Sequence, residues 1–396
     1  MKVVFLSNFL NHHQVPFSNN MYDALGDGYK FVQTEPVNEE RLNMGYEDME
    51  GKYPYILCPY KSEEESENTK RLVDEADFVI TGSAPEFYIK NRLDNNKPVF
   101  RFSERFMRHQ KWRFFTPKSL KFMYNRHTKY RKNNVFVLCA SAYTAIDYAF
   151  FGAYKNKTFK WGYFPEVIEH DIDKLIENKQ DKVIELLWVA RFLKLKHPEK
   201  FLKVLKRLKD DGYNFKAKII GSGECEAQMR EFVKTNKLES KVKFLGTMSP
   251  DKVREHMESA NIFMFNSDYR EGWGAVVNEA MNSGCAVISS HAPGAVPFLI
   301  KHKISGLIYN DKNFEDLYKN TKLLVEDRNL CALLGKNAYY TLKQTWNAKT
   351  AAENLIKLFS SFNNGVNADI KDGPCSIAKR IFQWKMYKTC IKGEKI

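Results

Sequence analysis

The sequence lacks any long hydrophobic run and uses cysteine sparingly. No stretch approaches the roughly 18 consecutive apolar residues of a transmembrane helix, so we expect no membrane-spanning segment. The seven cysteines form no Cys-x-x-Cys pair and no repeating frame, which argues against a disulfide framework and predicts reduced thiols. The apolar run after Lys2 is too short for the hydrophobic region of a secretory signal and is typical of a first buried strand. We therefore expect a cytoplasmic protein.

What the sequence does contain is enough apolar material for two folded domains. Its 396 residues compare with roughly 150 for a typical domain. Hydrophobic residues make up 43% of the chain and aromatic residues 14%, which excludes wholesale disorder. Lys and Arg number 62 against 48 Asp and Glu, a formal net charge of +14. Such an excess suits a nucleic acid, an anionic membrane or an acidic substrate.

Short apolar runs alternate with helical patterns along nearly the whole chain, which predicts parallel sheets with helices on both faces. A turn at Pro165 and a charged stretch at 171–182 separate the two alternating halves. We predict two doubly wound, Rossmann-like α/β domains, residues 1–165 and 166–364, which face each other across a cleft. Ligands of such sheets bind beyond the carboxyl ends of the strands. The predicted strands are residues 2–7, 30–33, 55–57, 78–81, 99–102, 135–139, 184–190, 216–220, 242–245, 262–265 and 286–289, and two of the predicted helices are 63–75 and 85–93.

The segment from Phe263 to Ile288 carries the clearest chemical signal. A buried strand ends near residue 266, a loop follows with Glu271 and two glycines, and a helix begins near Gly274. The N–H groups of Gly274, Ala275 and Val276 would be unpaired there, which makes an anion site suited to a diphosphate. Glu279 can accept two hydrogen bonds from a vicinal diol such as a ribose. Carboxylates on both sides of a phosphate site predict a nucleotide-sugar ligand.

This segment resembles the retaining glycosyltransferases of family 4, which have the GT-B fold. Glu271 and Glu279 stand in the family's E-x7-E arrangement, and the resemblance extends over about residues 184–360. It implies that the domain 166–364 binds the donor and that the domain 1–165 binds the acceptor. A C-terminal helix in 365–396 would complete the N-terminal domain. It also implies that the acceptor hydroxyl attacks on the face that the diphosphate leaves, with no protein nucleophile, cofactor or metal. The other matching motifs are Gly272-Trp-Gly274, Glu279-Ala-Met281, Gly284-Cys-Ala-Val-Ile288, Gly294 and Gly306-Leu-Ile.

A second motif agrees with the first. Arg191 and Lys196, after a predicted strand, resemble the Arg-x4-Lys pair with which family members clamp the donor diphosphate, and both cations would neutralise it. Ile220-Gly221-Ser-Gly223 resembles the family's glycine turn, which is also explained by a tight strand–helix connection. The sequence departs from the family pattern at Ala190 and His197, where glycine is frequent, and at Phe298, where glutamate is frequent.

Four residues of the N-terminal half are candidates for the acceptor side of the cleft. His12 and His13 follow the first strand, although a helix cap and a surface residue explain a histidine pair there equally well. Glu104 and His109 follow the fifth predicted strand, where the family tends to have a cleft histidine. For Glu104 and His109, the alternative is a structural role or a side chain that is simply exposed to solvent.

Most of the positive charge is local. Residues 101–132 contain eleven Lys and Arg and one acid, interleaved with aromatic residues, and 378–392 repeat this composition. Cations mixed with aromatic side chains suit an anionic membrane surface, where each cation adds about 1 kcal/mol. They also suit nucleic acid, and a solvated basic helix face needs no partner. We favour the membrane, because GT-B enzymes that extend lipid-linked sugars often have such a patch on the acceptor domain.

Together with these patterns, the resemblance to family 4 implies a retaining, metal-independent glycosyltransferase in bacterial surface polysaccharide assembly. It would move a sugar from a nucleoside-diphosphate donor to a lipid-linked glycan at the inner face of the cytoplasmic membrane, with no nucleic-acid partner. One alternative is a GT-B nucleotide-sugar epimerase that acts without an acceptor. Another, from a different class, is a basic nucleic-acid-binding α/β protein, although no recognisable nucleic-acid module supports it.

Overall fold

The chain divides into two compact units, each built from two separate stretches of sequence. The computed structural model describes residues 1–39, 47–108, 111–180, 182–363, 365 and 368–396. Unit 1 comprises Met1–Glu166 and Trp346–Ile381, and unit 2 comprises Val167–Thr345 and Phe382–Ile396. The first division lies one residue from the predicted boundary at 165. The chain returns to unit 1 at Trp346, earlier than the expected 365, and its last residues pack in unit 2.

Unit 1 contains a seven-stranded parallel sheet with the order β3-β2-β1-β4-β5-β6-β7. Its central strands are apolar on both faces, as expected for a sheet covered by helices on both sides. All six strands predicted for this half form. The strands are β1 (Val3–Ser7), β2 (Tyr29–Gln33), β3 (Ile56–Leu57), β4 (Phe78–Thr81), β5 (Val99–Ser103), β6 (Val135–Cys139) and β7 (Thr158–Lys160).

The helices of unit 1 begin at recognisable signals. Ser62 caps the second helix by accepting the N–H of Glu65 at 3.1 Å, and three glutamates in the first turn suit the positive end of the helix dipole. The helix predicted at 63–75 is therefore confirmed, and the one predicted at 85–93 begins two residues later. The helices are α1 (Val15–Leu25), α2 (Glu63–Glu75), α3 (Phe87–Asp94), α4 (Pro117–Arg126) and α5 (Thr144–Ala149).

Unit 2 contains a six-stranded parallel sheet with the order β10-β9-β8-β11-β12-β13. The chain runs outward in one direction from β8 to β10 and then returns to the other side of β8, so β8 and β11 flank the point where the strand order reverses. The strands are β8 (Glu185–Val189), β9 (Lys216–Ile220), β10 (Val242–Phe244), β11 (Ile262–Phe265), β12 (Ala286–Ser290) and β13 (Leu307–Tyr309).

Helices cover both faces of the second sheet. The apolar side chains of one helix face, Phe201, Leu205 and Leu208, are fully buried in the unit 2 core, and this burial is the main stabilising term for an amphipathic helix. The helices are α6 (Ile172–Gln180), α7 (Pro198–Asp210), α8 (Glu226–Thr235), α9 (Pro250–Ser259), α10 (Val276–Asn282), α11 (Val296–Leu299), α12 (Phe314–Glu326) and α13 (Arg328–Gln344).

The last two helices pack in different units. Helix α14 (Ala348–Asn363) returns to unit 1, where Phe359 stacks on Phe78 of β4 with ring centroids 4.2 Å apart. Helix α15 (Gln383–Ile391) packs in unit 2. The segment between them covers the edge of β7, since Ile377 forms an antiparallel bridge with Phe159. Covering an edge strand in this way protects it from pairing with other chains.

Candidate functional site

The candidate ligand-binding edge of unit 2 lies at the carboxyl ends of β8 and β11. These strands are neighbours, with Leu186 opposite Ile262 and Leu187 opposite Phe263. The loop after β8 carries Arg191 and Lys196, and the loop after β11 carries Glu271. The strand order reverses between these two strands, and doubly wound sheets bind ligands in the crevice at such a point.

The two loops meet through a salt bridge between Lys196 and Glu271, residues that are 75 positions apart in sequence. Their side chains are 14% and 16% exposed. The structure thus brings together two of the predicted site residues. Arg191 is exposed, and its guanidinium makes no hydrogen bond or ion pair with any residue that the structure describes. It is therefore available to a ligand.

Asp268, which the sequence analysis did not single out, fixes the relative position of the two loops. Its N–H donates to the carbonyl of Leu195 at 3.1 Å, and its own carbonyl accepts the N–H of Glu271 at 3.0 Å. Arg270 donates to the Asp268 carboxylate through Nη2 at 2.6 Å. These bonds place Lys196 and Glu271 beside each other.

His197 is held between two carboxylates. It adopts the left-handed conformation with φ of 51°, which glycine adopts more readily than other residues. Nδ1 lies 2.7 Å from Glu199 Oε1, and Nε2 lies 3.1 Å from Asp268 Oδ2. The hydrogen bond to Asp268, and then that to Glu199, raises the pKa of His197 to about 9 against the effect of burial. The imidazolium ion therefore ties the Lys196 loop to the loop after β11.

Substituting His197 with asparagine should reveal this charge in the stability of the protein. Asparagine tolerates the left-handed conformation but carries no charge. The stabilisation is fully present below the unfolded pKa of about 6.5 and disappears as the pH rises through about 9. We expect the free energy of unfolding in urea to fall by about 1 kcal/mol at pH 6. The two proteins should converge by pH 10, and an equal difference at both pH values would refute the charge role.

The anion site predicted at the start of α10 has the expected backbone. Gly274 has φ of +95°, and a Cβ there would come within 2.6 Å of the Phe265 ring, so only glycine fits without displacement. The helix begins at Val276 with Ala275 as its N-cap residue. The N–H groups of Gly274, Ala275 and Val276 donate to no acceptor in the described part of the chain. Three backbone donors are therefore available to an anion.

Glu279 lies in the first turn of α10 and is half-buried. Among the described residues its carboxylate has no hydrogen-bond or ion-pair partner. Burial raises the pKa of Glu279, and the positive charge of Arg254 opposes that shift only in part. A half-buried carboxylate without a partner is costly unless a ligand satisfies it.

Gly221 and Phe298 have packing roles in the structure. A Cβ on Gly221, which has φ of +129°, would lie 1.9 Å from the Ala190 carbonyl oxygen. The glycine therefore lets the turn after β9 pack directly on the start of the Arg191 loop, and its effect on a donor would be indirect. Phe298 is buried in α11, consistent with the absence of a polar role at that position.

In unit 1, the predicted residues cluster near the carboxyl ends of β1 and β5. The rings of His12 and His13 lie 3.8 Å apart between centroids, and that of His13 lies 6.2 Å from Tyr163. Glu104 accepts the Tyr163 hydroxyl at 2.9 Å and pairs with Arg108 at 2.7 Å. His109 lies outside the described residues.

A pocket of about 680 Å³ opens at this edge of unit 1. Glu104 lines it, together with Asn11 and Gln14 from the loop that carries the two histidines. The prediction that 101–132 form a basic surface is wrong for Arg101 and Arg105. Both line the pocket and are only 4% and 2% exposed. Their burial reflects partners far away in sequence, Glu86 and Asp147.

The described residues contain neither a metal-binding cluster nor a helix suited to cross a membrane. No group of three or more His, Cys, Asp or Glu side chains within them could hold a metal ion. None of the helices in the described ranges combines the length and the apolar character needed to cross a membrane.

Residues 169–341 match the family model described as "Glycosyl transferases group 1". The chain is 32% identical over 128 residues to the amylovoran biosynthesis glycosyltransferase AmsK of Erwinia amylovora, covering 31% of each chain. It is 30% identical over 202 residues to the N,N'-diacetylbacillosaminyl-diphospho-undecaprenol alpha-1,3-N-acetylgalactosaminyltransferase of Campylobacter jejuni, covering 50% of each chain. The chain thus spans about a third to a half of the length of these relatives.

The fold is similar to that of Anabaena HepE in complex with UDP. The TM-score is 0.66 at 15% sequence identity, over 91% of this chain and 100% of that one. The predicted fold class is confirmed, because both units are parallel-sheet α/β folds of the GT-B type. The polar residues described above therefore lie on a fold of this type, and those in unit 2 lie within the segment that matches the family model.

Proposed function

We propose that this protein is a retaining family 4 glycosyltransferase. It transfers a sugar from a nucleoside-diphosphate donor to a lipid-linked glycan acceptor in bacterial surface polysaccharide assembly. The observation that supports this most strongly is the arrangement at one edge of unit 2. There, Lys196 and Glu271 form their salt bridge. The proposed anion site begins beside this pair at Gly274, and Glu279 lies one turn further on without a partner among the described residues.

The donor would satisfy the groups that the described protein leaves without partners. Its diphosphate would accept hydrogen bonds from the N–H groups at 274–276, and Arg191 and Lys196 would neutralise its charge. Lys196 would exchange Glu271 for the diphosphate, which frees Glu271 to bind the sugar. Glu279 would accept hydrogen bonds from the ribose. HepE has been solved in complex with UDP-glucose, which supports a nucleotide-sugar as the class of donor.

The chemistry would need no covalent bond to the protein. The bond from the anomeric carbon to the diphosphate oxygen breaks, and the diphosphate departs with the electron pair. The acceptor hydroxyl attacks the oxocarbenium-like centre on the same face and gives its proton to the departing diphosphate, so anomeric configuration is retained. Electrostatic stabilisation of the leaving group by Arg191, Lys196 and the backbone N–H groups is the main catalytic term. We propose that no metal is required, which turnover in EDTA checks.

A screen of nucleotide-sugars tests the proposal. The protein is incubated with UDP-, GDP- and ADP-sugars, and both the melting temperature and the release of nucleoside diphosphate are followed. We expect one donor to raise the melting temperature and to be slowly hydrolysed, because water replaces a missing acceptor. Release of an isomerised nucleotide-sugar without nucleoside diphosphate would support an epimerase instead.

The basic segments support a location at the inner face of the cytoplasmic membrane. On and beside α4, Trp112 and Phe122 are 66% and 54% exposed, and Lys118 and Lys121 are exposed near them. On α15, Trp384 is 73% exposed with the Lys385 ammonium 4.8 Å from its ring centroid. Exposed aromatic rings beside cations are suited to the boundary between lipid headgroups and acyl chains.

Vesicle flotation tests the membrane proposal. We expect the protein to float with vesicles that contain phosphatidylglycerol and not with phosphatidylcholine alone. The double variant Lys118→Glu/Lys121→Glu reverses two charges and should lose about 4 kcal/mol of attraction, at about 1 kcal/mol per unit of charge. The matched control is Lys203→Glu/Lys234→Glu, which reverses two exposed helical lysines of unit 2. Equal flotation of both variants would rule out α4 as the docking surface.

A further inference from the structure

The pocket of unit 1 is a second polar site that lies wholly within one unit. Its lining comes from the carboxyl ends of β1, β4 and β5 and from α4. In the order of this sheet β1 and β4 are neighbours, and the strand order reverses between them, as it does between β8 and β11. The pocket, at about 680 Å³, is large enough for a monosaccharide or a small diphosphate ester.

Two arginines of the pocket share a single carboxylate. Arg101 donates to Glu86 through both terminal nitrogens, at 3.1 and 2.5 Å, and Arg126 Nε lies 3.2 Å from the same side chain. Arg101 is buried, whereas the Arg126 side chain is 34% exposed. One positive charge of this trio is therefore not neutralised by Glu86, and Arg126 is the group that a ligand can reach.

The other charged groups of the pocket are already paired. Arg105 contacts Asp147, with a closest distance of 3.3 Å between Nη2 and Oδ1. Glu104 is engaged by both Arg108 and Tyr163. The acidic residues at this site therefore do not offset the excess charge of the Arg101–Glu86–Arg126 trio.

His127 also lines the pocket. Its Nδ1 is hydrogen-bonded to the Tyr154 hydroxyl at 2.8 Å. Burial, followed by the positive charges of Arg101 and Arg126, lowers the pKa of His127 to about 2. The imidazole is therefore neutral and adds no charge of either sign, so the arginines determine the electrostatic character of the pocket.

Aromatic side chains make up much of the remaining wall. They come from β5, from the segment that follows it, from α4 and α5, and from the segment after β7. Flat apolar faces of this kind pack against sugar rings or short hydrocarbon chains. The aromatic residues are Phe102, Phe106, Phe114, Phe122, Tyr148 and Tyr163.

We propose that this pocket binds an anionic group of the acceptor, a carboxylate or a phosphate, with Arg126 as its contact residue. The proposal rests on the glycosyltransferase function proposed above and specifies the acceptor as acidic. Two sources would supply such a group, an acidic sugar of the glycan or the diphosphate that joins a glycan to its lipid. A guanidinium favours both, because its planar donors match carboxylate and phosphate oxygens.

Binding to the full chain, measured by calorimetry with two pairs of probes, tests the proposal and distinguishes the sources. The pairs are D-glucuronate with D-glucose, and geranyl diphosphate with geraniol. We expect at least one anionic probe to bind about tenfold more tightly than its neutral counterpart. Glucuronate as the tighter binder indicates an acidic sugar, and geranyl diphosphate indicates the lipid diphosphate. Equal affinity within both pairs would overturn the proposal.

Variants separate this pocket from the diphosphate site of unit 2. Arg126→Ala should weaken binding of the anionic probe about tenfold, whereas Arg126→Lys should retain part of the affinity. Glu86→Gln removes the shared carboxylate charge and should therefore increase the affinity for the anionic probe. The control is Lys132→Ala, an exposed cation of unit 1 outside the pocket. Equal losses for Arg126→Ala and Lys132→Ala would overturn the assignment. Because this readout needs no donor, it remains informative even if no nucleotide-sugar is turned over.

Discussion

Replacing Lys196 by alanine is expected to lower turnover by about a hundredfold to a thousandfold, the usual effect of removing one group that stabilises developing negative charge. Lys196 already lies at the crevice between β8 and β11, held by its ion pair with Glu271. In the proposed reaction, the negative charge of the diphosphate grows as the bond to the sugar breaks. The loss should therefore be larger in kcat than in donor affinity.

A matched control exists two residues earlier. Lys194 is an exposed lysine that lies with Lys196 on the short 3₁₀ turn Lys194–Lys196, so Lys194→Ala removes the same charge from the same loop. We expect it to retain most of the activity, because an exposed charge is screened by solvent. Steady-state kinetics with the donor found in the screen, together with thermal unfolding of each variant, completes the comparison. Equal losses in the two variants would mean that Lys196 acts only through the general charge of the loop.

Replacing Glu279 by alanine is expected to weaken nucleoside-diphosphate binding by about tenfold to a hundredfold. The carboxylate is half-buried in α10 without a partner in the described chain, so it is positioned for hydroxyl groups of a ligand. Each hydrogen bond to a charged group contributes about 1.5–3 kcal/mol. Calorimetric titration with the nucleoside diphosphate of the preferred donor measures the effect.

The 2′-deoxy nucleotide provides a second test of Glu279. The wild-type protein should bind the ribonucleotide more tightly than the deoxyribonucleotide, and Glu279→Ala should lose that preference, which is the logic of a double-mutant cycle. Glu279→Gln should leave thermal stability unchanged or raised, since it removes a half-buried charge whose pKa is raised by burial. If the variant still discriminated against the deoxynucleotide, Glu279 would not be the group that binds the ribose.

The sequence predicted the sheets well where strands are long and apolar. The predicted strand 216–220 matches β9, and the prediction of 262–265 matches β11. Two strands of three residues each, β7 and β13, were missed. A segment as short as Thr158–Lys160 carries no measurable alternation, and it becomes a strand because β6 and the segment around Ile377 pair with its backbone.

Within the candidate site, the motifs indicated which residues are candidates, but they could not show how those residues contact each other. The spacing of Glu271 and Glu279 and the Arg191–Lys196 pair are local features, so the sequence shows them directly. The bond of His197 to Asp268 joins residues 71 positions apart, and it exists only because β8 and β11 are neighbours. A polar cluster on the loop after a strand, Asn266 to Arg270, was the only signal that could have indicated Asp268.

For the basic segment 101–132, the sequence shows the composition but not which of its residues are buried. Its composition suggested one continuous basic surface, but the structure buries Arg101 against Glu86 and Arg105 against Asp147. Their partners lie on α3's N-terminal flank and on α5, so charge counting along the chain could not find them. The segment therefore divides into a paired pocket at the end of β5 and an exposed, aromatic-rich face on α4.

The most direct test of the proposed reaction is a proton NMR time course with the nucleotide-sugar that the screen identifies. The signals to follow are the anomeric proton of the sugar first released, before mutarotation, and the nucleoside diphosphate. A retaining glycosyltransferase with the site described here should release one nucleoside diphosphate per sugar, and the new anomeric centre should have the configuration of the donor. Release of the opposite anomer, or of an isomerised nucleotide-sugar without nucleoside diphosphate, would contradict it.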